Sequence, residues 1–266
     1  MGALSDARRP RIAFVIDTLE RGGAERVLVA LARALAEGDG CPRFAVHVVT
    51  TRGAGPLAAA LGPDVRLHAL ARRSRADVAA LPRLARLLAR EAIDVVCAHS
   101  HTAAFFALAS RPFGGRWSLV MHDHHPPIEG APLLRALDRR LLRGAAHYFA
   151  ASEPLAEFAR RRIGLPAERV EWLPNAVPIA ADASAWRPPR ERLSIAHVAR
   201  FFPEKNQRLA LDVAARLRDA GLAFHWTFVG RDETPYGRQC RAEAERRALG
   251  DVVTFDGERD AVGDVL

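Results

Sequence analysis

RIAFVI, residues 11–16, followed by AERVLVALARALAEG, residues 24–38, is the stretch that decides the fold class. The first segment is a continuous apolar run, which is typical of a strand that is buried on both faces. The second segment repeats apolar residues at helical spacing and ends at a glycine. A buried strand followed by an amphipathic helix is the first part of a β-α-β unit, and it indicates a parallel sheet.

The same alternation continues along the first two thirds of the chain. Further strands are predicted at FAVHVVT (44–50), VRLHAL (65–70), DVVCAH (94–99), WSLVMHD (117–123) and HYFAAS (147–152), and RVEWLPNAV (169–177) closes this first unit. Helices fit between most of them, notably at 80–92 and 132–145. Residues 1–177 are therefore predicted to form an α/β domain with a doubly wound parallel sheet.

A linker and a second, shorter series of elements follow. Residues 178–192 are rich in Ala and Pro and have no periodicity, which is typical of a linker between domains. The alternation then restarts over residues 193–266, with strands predicted at LSIAHVAR (193–200), FHWTFVG (224–230) and VVTFDG (252–257) and helices at 206–221 and 236–250. Three strands make a thin core. We therefore expect an incomplete second domain that is loose or only partly ordered, with the final residues opening another helix.

Composition narrows the classes of partner. The formal net charge is +8, which indicates acidic partners such as nucleic acid, an anionic membrane surface or phosphorylated substrates. Aromatic residues make up only 7% of the chain and no nucleic-acid-reading motif is found, so we expect no nucleic-acid partner. The odd, dispersed cysteines indicate buried thiols in a reducing cytosol. Because we find neither a signal region nor an apolar run of about 18 residues, we expect a soluble protein that at most rests on a membrane.

Three loops at strand ends carry the candidate chemistry. LERGGAER (19–26) joins the first strand to the first helix, and its paired Gly22 and Gly23 let an anion or sugar approach the backbone beside unpaired helix N–H groups. This loop is not G-x-G-x-x-G, and the chain contains no P-loop motif. An ordinary glycine turn is the alternative. Open α/β sheets bind ligands at the carboxyl ends of their strands, which favours the functional interpretation.

Histidines cluster after two neighbouring predicted strands. HDHHPP (122–127) follows one strand and HSH (99–101) follows the strand before it, so a metal site is one interpretation. Because closely spaced ligands on loops rarely converge on one ion, we expect instead that one histidine and Asp123 face a cleft while the others are bystanders. We assign His122 and Asp123 as the candidate catalytic pair and predict no metal.

RFFPEKN (200–206) is the corresponding loop of the second domain. Arg200 follows a strand, and Lys205, the only lysine of the chain, opens a helix. An arginine fork and a compact ammonium beside a helix N-terminus can hold a diphosphate in two different ways. Solvated surface charges are the alternative.

Six motifs, taken in order, resemble those of the family 4 glycosyltransferases of the GT-B fold. They are GGAERVLVALARAL, the HD-P loop, FAAS, LPNAV, HVARF-x-PEKN and W-x-FVG. The likeness runs from about residue 11 to the last residue. It implies two Rossmann-like domains that face each other across a cleft, the first taking an acceptor and the second a nucleotide-sugar donor. The family pattern continues to a pair of glutamates that bind the donor, and this sequence ends before them, which again implies an incomplete donor domain.

The resemblance assigns roles to matching positions. Gly22 and Gly23 match the glycine loop that approaches the acceptor and the donor phosphate, and His122 matches the cleft histidine, with Asp123 its neighbour. Asn175 matches the asparagine of a hinge element, where Ala176 replaces the usual glycine. Arg200 and Lys205 match the pair that holds the donor diphosphate.

The predicted function is transfer of a sugar from a nucleotide-diphosphate sugar to a hydroxyl acceptor, with retention at the anomeric carbon and no cofactor or metal. Arg-rich stretches at 133–144 and 157–164 are consistent with peripheral contact with the anionic inner face of the cytoplasmic membrane, and the alternative, which we favour, is arginine on solvated helix faces in an Arg-biased genome. A membrane location favours a lipid-linked or polysaccharide acceptor in envelope or capsule synthesis. The alternatives are a GT-B sugar-nucleotide epimerase and a non-catalytic binding protein. The second alternative applies if the chain is naturally truncated, because the activity of these 266 residues alone is doubtful.

Overall fold

A computed structural model describes residues 8–40, 43–74, 77–124, 139–140, 142–176 and 191–259. The chain divides between residues 177 and 178 into two compact units. Each is described by itself. Most of the helix predicted at 132–145, of the linker at 178–192 and of the last eight residues lies outside the described residues.

The first unit is built on a parallel sheet, as predicted, and the sheet has seven strands. Its strands are β1 (Arg11–Ile16), β2 (Ala45–Thr50), β3 (Val65–Ala69), β4 (Val95–Ala98), β5 (Ser118–Asp123), β6 (His147–Ala150) and β7 (Val170–Trp172). Their order is β3-β2-β1-β4-β5-β6-β7, and every neighbouring pair is parallel. This is the order of a doubly wound Rossmann-like sheet, in which the direction of winding reverses between β1 and β4.

Helices cover both faces of this sheet. They are α1 (Gly23–Glu37), α2 (Ala80–Arg90), α3 (His101–Ser110) and α4 (Glu153–Phe158), the last continued by a π-helical turn at Ala159–Ile163. The α1 side chain Leu28 belongs to one buried cluster with Phe14 and Cys97, whereas α2 and α3 pack with Met121 in the other. Side chains that alternate along each strand therefore enter two separate cores.

The helix α3 was not singled out by its sequence. HTAAFFALAS is apolar on nearly all sides, so it lacks the amphipathic stripe that identifies a surface helix, and most of it is buried. Its start is fixed by Ser100, whose hydroxyl accepts a hydrogen bond from the Ala103 N–H at 3.0 Å. His101, expected on a loop, is consequently the first residue of a helix.

The second unit has a three-stranded parallel sheet in the order β10-β9-β8. The strands are β8 (Leu193–Val198), β9 (Phe224–Val229) and β10 (Val253–Phe255), and the helices are α5 (Gln207–Asp219) and α6 (Pro235–Arg246). Phe201, Leu211, Phe224 and Phe228 form its core and are almost fully buried. These side chains pack together, whereas the edge strand β8 leaves Leu193 45% exposed, and the expected looseness of this unit stays a prediction.

None of the helices in the described part of the chain combines the length and apolarity that crossing a bilayer requires. Cys97 and Cys240 are buried free thiols, as expected, whereas Cys41 lies outside the described residues.

Candidate active site

The carboxyl ends of β1 and β4 are the topological switch point of the first sheet, where ligands bind in open α/β folds. The glycine loop follows β1, and His99 follows β4. The neighbouring strand β5 ends with His122 and Asp123. The glycine loop, His99 and the pair His122 and Asp123 are thereby brought to one edge of one sheet.

The glycine loop is partly open. Gly22 is the N-cap residue of α1 in extended conformation, and Gly23 is exposed, with open space where a side chain would point. The carboxylate of Glu25 folds back over Gly22, so that any side chain there would collide with it. This acidic group interacts favourably with the positive end of the helix dipole. Gly23 is therefore the more accessible of the two glycines.

Three histidines converge at the ends of β4 and β5. His122 is in β5 and His124 directly follows that strand, so the two rings share one face, and His99, which directly follows the adjacent strand β4, meets them there. Nδ1 of His99 is 3.1 Å from Nε2 of His124, and the ring centroids of His122 and His124 are 4.1 Å apart. Sequence reasoning expected the neighbours of His122 to be bystanders. They are instead its packing partners.

His122 is buried rather than exposed on a surface, with 3% of the residue accessible. Burial and, to a smaller extent, the neighbouring His124 lower its pKa to about 4, against the opposing effect of Asp123. Burial also holds the pKa of His99 well below its ordinary value, with His122 and His124 adding to the effect. The imidazoles of His99 and His122 are therefore neutral at physiological pH. Nε2 of His122 has no hydrogen-bond partner among the described residues.

Asp123 points to the opposite face of the sheet. Its carboxylate accepts a hydrogen bond from the Tyr148 hydroxyl and lies 3.1 Å from Nε2 of His101. Asp123 is 1% exposed, so these partners offset the cost of burying its charge. The geometry places it beneath the histidines and within the hydrophobic core, where it fixes the backbone that carries His122 and His124.

A further polar group at the same edge was missed by sequence reasoning. Thr51, after β2, donates its hydroxyl to Asp17, after β1, at 2.6 Å. Arg72, after β3, lies 3.2 Å from the same carboxylate oxygen and stacks over the ring of Phe106. Nε and Nη1 of Arg72 are buried without partners among the described residues. The available signal was a polar residue within two positions of the end of each of three predicted strands.

In the second unit, Arg200 and Lys205 flank a short loop between β8 and α5. Both side chains are exposed, and the guanidinium of Arg200 lies over the ring of Phe202, 5.3 Å from its centroid. A 3₁₀ turn at Pro203–Lys205 leads into Asn206, which adopts a left-handed conformation at the start of the helix. The loop brings both cations to the N-terminal end of α5.

Three residues that sequence reasoning did not single out contact the backbone of this loop. The amide of Gln207 donates to the Arg200 carbonyl at 2.9 Å, and the hydroxyl of Thr234 donates to the Phe201 carbonyl at 3.1 Å. Gly230 lies so close to the Ala199 carbonyl that a Cβ would collide with it. The backbone that carries Arg200 is therefore fixed before any ligand binds.

Asn175 follows β7 in the first unit and is exposed. The described residues of this unit give its side chain no hydrogen bond that would fix it. Its predicted role near a hinge stays a prediction.

The sequence profile of Glycosyltransferase Family 4 matches residues 21–181, which is more than half of the chain. The chain belongs to this family. A curated relative is EpsF of Bacillus subtilis (strain 168), for which the name proposes a glycosyltransferase. It is 25% identical over 98% of this chain and 72% of its own length.

Solved structures agree with a GT-B fold for this family 4 glycosyltransferase. Anabaena Alr3699/HepE, crystallised with UDP-glucose, matches with a TM-score of 0.73 at 18% identity, over 95% of this chain and 70% of that chain. The UDP-N-acetylglucosamine 2-epimerase of Rickettsia bellii matches less well, with a TM-score of 0.52 at 14% identity, over 93% of this chain and 68% of that chain. At these identities the likeness concerns the fold alone.

Proposed function

We propose that this family 4 glycosyltransferase moves a sugar from a nucleoside-diphosphate sugar to a hydroxyl acceptor, with retention at the anomeric carbon. The observation that carries the proposal is the rigid loop that presents Arg200 and Lys205 at the N-terminal end of α5. Family membership and the UDP-glucose bound to HepE support the class of donor.

The proposed role of this loop is to stabilise the leaving group. As the glycosidic bond breaks, negative charge develops on the diphosphate, and the guanidinium of Arg200 and the ammonium of Lys205 neutralise it. Because Gln207 and Thr234 hold the loop backbone, little reorganisation is needed during the reaction. In the proposal these cations perform the task that a divalent metal performs elsewhere, so transfer requires no metal and no cofactor.

In the first unit, His122 is the proposed group beside the transferred sugar. A neutral imidazole can donate a hydrogen bond to a sugar hydroxyl, and the unpartnered Nε2 of His122 supports such a contact. Because His122 is buried, reaching it requires local rearrangement on substrate binding. Asp123 is proposed as a positioning residue, since its carboxylate is already engaged by Tyr148 and His101.

The remaining assigned positions have binding roles in the proposal. The exposed Gly23 lets the acceptor and the donor phosphate approach the start of α1, while Gly22 leaves room for the Glu25 carboxylate. Asn175 is proposed as a hinge residue. No enzyme nucleophile is assigned, and the departing phosphate is the proposed acceptor of the hydroxyl proton.

The proposed acceptor is lipid-linked or part of an envelope or capsule polysaccharide, and the proposed location is cytoplasmic, peripheral on the inner membrane face. Support comes from the meeting of the two Arg-rich stretches, where Nε of Arg143 donates to the Ile163 carbonyl at 2.8 Å. The same two stretches carry further exposed arginines: Arg139, Arg140, Arg160, Arg161 and Arg162. Each basic residue near an anionic surface contributes about 1 kcal/mol.

A vesicle assay tests the membrane part of the proposal. The protein should co-sediment with vesicles containing phosphatidylglycerol but not with vesicles of phosphatidylcholine alone. Replacing Arg160 and Arg162 by Glu should reduce this binding, whereas the same change at Arg238 and Arg246, exposed arginines of the second unit, should have less effect. Equal binding to both vesicle types would refute membrane attraction by charge.

Product analysis with a panel of nucleotide sugars tests the main proposal. We expect release of the nucleoside diphosphate together with a glycosylated acceptor whose anomeric configuration, read by NMR, matches that of the donor. An epimerised sugar nucleotide with no transfer would support the epimerase alternative, and saturable binding without turnover would support a binding protein. Inversion at the anomeric carbon would refute retention but leave transfer in place.

A further inference from the structure

The three histidines at the ends of β4 and β5 have the composition of a metal site. One ring nitrogen from each of His99, His122 and His124 lies within 4.8 Å of the other two. In a tetrahedral zinc site with Zn–N bonds of about 2.0–2.1 Å, neighbouring nitrogens are about 3.3 Å apart. The 3.1 Å separation of the His99 and His124 nitrogens is close to that value. Small rotations of His122 would complete the set.

The surroundings prepare these rings to act as ligands. Imidazole binds a metal through the lone pair of a ring nitrogen, and the rings of His99 and His122 are buried at the strand ends. Nε2 of His99 lies 3.6 Å from the Sγ of Cys97, so Nδ1 remains for a metal while the second nitrogen is oriented by the sulfur. The rings of Phe14 and Phe149 pack against His99 and His122 and limit the access of water.

The unused nitrogen of His122 is the second, independent observation. His122 is 3% exposed, and its Nε2 has no partner among the described residues. A buried polar atom without a partner costs free energy, and most such atoms in native structures contact a ligand, an ion or ordered water. A bound cation would satisfy this atom.

We propose that His99, His122 and His124 bind a divalent cation of the zinc class, with one nitrogen from each ring and solvent in the fourth position. Imidazole suits Zn²⁺, Co²⁺ and Ni²⁺, whereas Mg²⁺ and Ca²⁺ require oxygen ligands. The ion is not part of the proposed reaction. Because it occupies His122, it inhibits sugar transfer, and this consequence rests on the proposed function, whereas the binding itself does not.

A second group of similar composition serves as a control. Nδ1 of His47 and Nε2 of His68 are also 3.1 Å apart, and Glu91 completes the group. Glu91, however, is already paired with Arg90 at 3.0 Å, and Arg66 lies 3.7 Å from its other oxygen. These cations repel a second cation and compete for the carboxylate. We expect this group to bind divalent metal weakly or not at all.

Cobalt titration of the protein tests the binding. Co²⁺ bound by three imidazoles and water gives intense visible absorption, and Zn²⁺ should displace it. His124→Ala should abolish the absorption, whereas His68→Ala, which removes a comparable half-buried histidine from the control group, should preserve it. Circular dichroism of both variants confirms that they are folded, and His99→Gln provides a second test at the same site if His124→Ala is not.

The outcomes separate the two proposals. Stoichiometric Co²⁺ binding that depends on His124 and not on His68 supports the site. Inhibition of sugar transfer by Zn²⁺, with a sensitivity to Zn²⁺ that falls at least tenfold in His124→Ala, supports the effect of the bound ion on His122. Absence of binding, or binding that depends on His68, overturns the metal proposal whatever the activity. Binding at His124 in a protein that transfers no sugar would leave the site intact and contradict only the proposed function.

Discussion

Tyr148 donates its hydroxyl hydrogen bond to Asp123, and this contact ties the end of β5 to β6 through the core of the first unit. Asp123 stands between His122 and His124, so its anchoring fixes the backbone from which both rings project to the other face. The sequence predicted Asp123 as a catalytic residue. In the structure its carboxylate stabilises the fold, and it affects the candidate site only by positioning the two histidines.

Loss of that contact should destabilise the first unit. Tyr148→Phe leaves the buried Asp123 carboxylate without one of its donors, so we expect the free energy of unfolding to fall by about 1–3 kcal/mol in urea denaturation. Tyr236→Phe is the matched control, because the Tyr236 hydroxyl meets the Arg208 N–H at a long 3.5 Å and the Cys240 thiol rather than a buried carboxylate. If both variants lose the same stability, the Asp123 contact has no special importance.

Removal of either cation from the loop before α5 should slow transfer. Arg200→Ala and Lys205→Ala in the full-length protein should each lower kcat/KM about a hundredfold or more, the loss expected for a group that stabilises charge in the transition state. Arg208→Ala, an exposed arginine in the first turn of α5, should cost little. Rates at the wild-type level in both loop variants would contradict the diphosphate assignment.

A side chain at Gly230 should disrupt the second unit. Gly230 has a φ of +149° and lies against the Ala199 carbonyl, so Gly230→Ala combines backbone strain with a steric collision. We expect a loss of at least about 2–3 kcal/mol in the unfolding free energy. Gly250→Ala, where an added Cβ meets nothing within 4 Å, should change stability by much less. Thermal unfolding of the two variants gives the comparison.

Acid should destabilise the first unit through its buried histidines. Burial lowers the pKa values of His122 and His47 from 6.5 to about 4, so the unfolded chain binds more protons than the folded chain between these values. The stability that depends on these two neutral histidines is therefore fully present above about pH 6.5 and is lost as the pH falls towards about 4. Each such group contributes a slope of at most about 1.4 kcal/mol per pH unit.

Urea denaturation at a series of pH values measures this slope. His122→Asn removes one of the titrating groups, so its stability should depend less on pH than that of the wild type within this window. An unchanged slope would show that His122 titrates alike in the folded and unfolded chains.

The fold class follows from the sequence because its determinants are local. RIAFVI and the helix after it coincide with β1 and α1 to within one residue, since apolar periodicity and glycine act over neighbouring residues. The sequence also placed Gly22, Gly23, Arg200 and Lys205 on loops after strands, where the structure has them, and their binding roles stay predictions. The helix α3 was not predicted because its surface is apolar on nearly all sides and shows no amphipathic pattern.

The composition of the histidine group was decided only by the tertiary structure. HSH and HDHH look like one set of equivalent ligands, yet the pleat of β5 sends His122 and His124 to one face and Asp123 to the other. The pairing of β4 with β5 then brings His99 to the first face, whereas the helical start at His101 directs that ring to Asp123. The local pattern determined which residues end the strands, but strand register and burial determined which of them meet, because those contacts join residues that are distant in the chain.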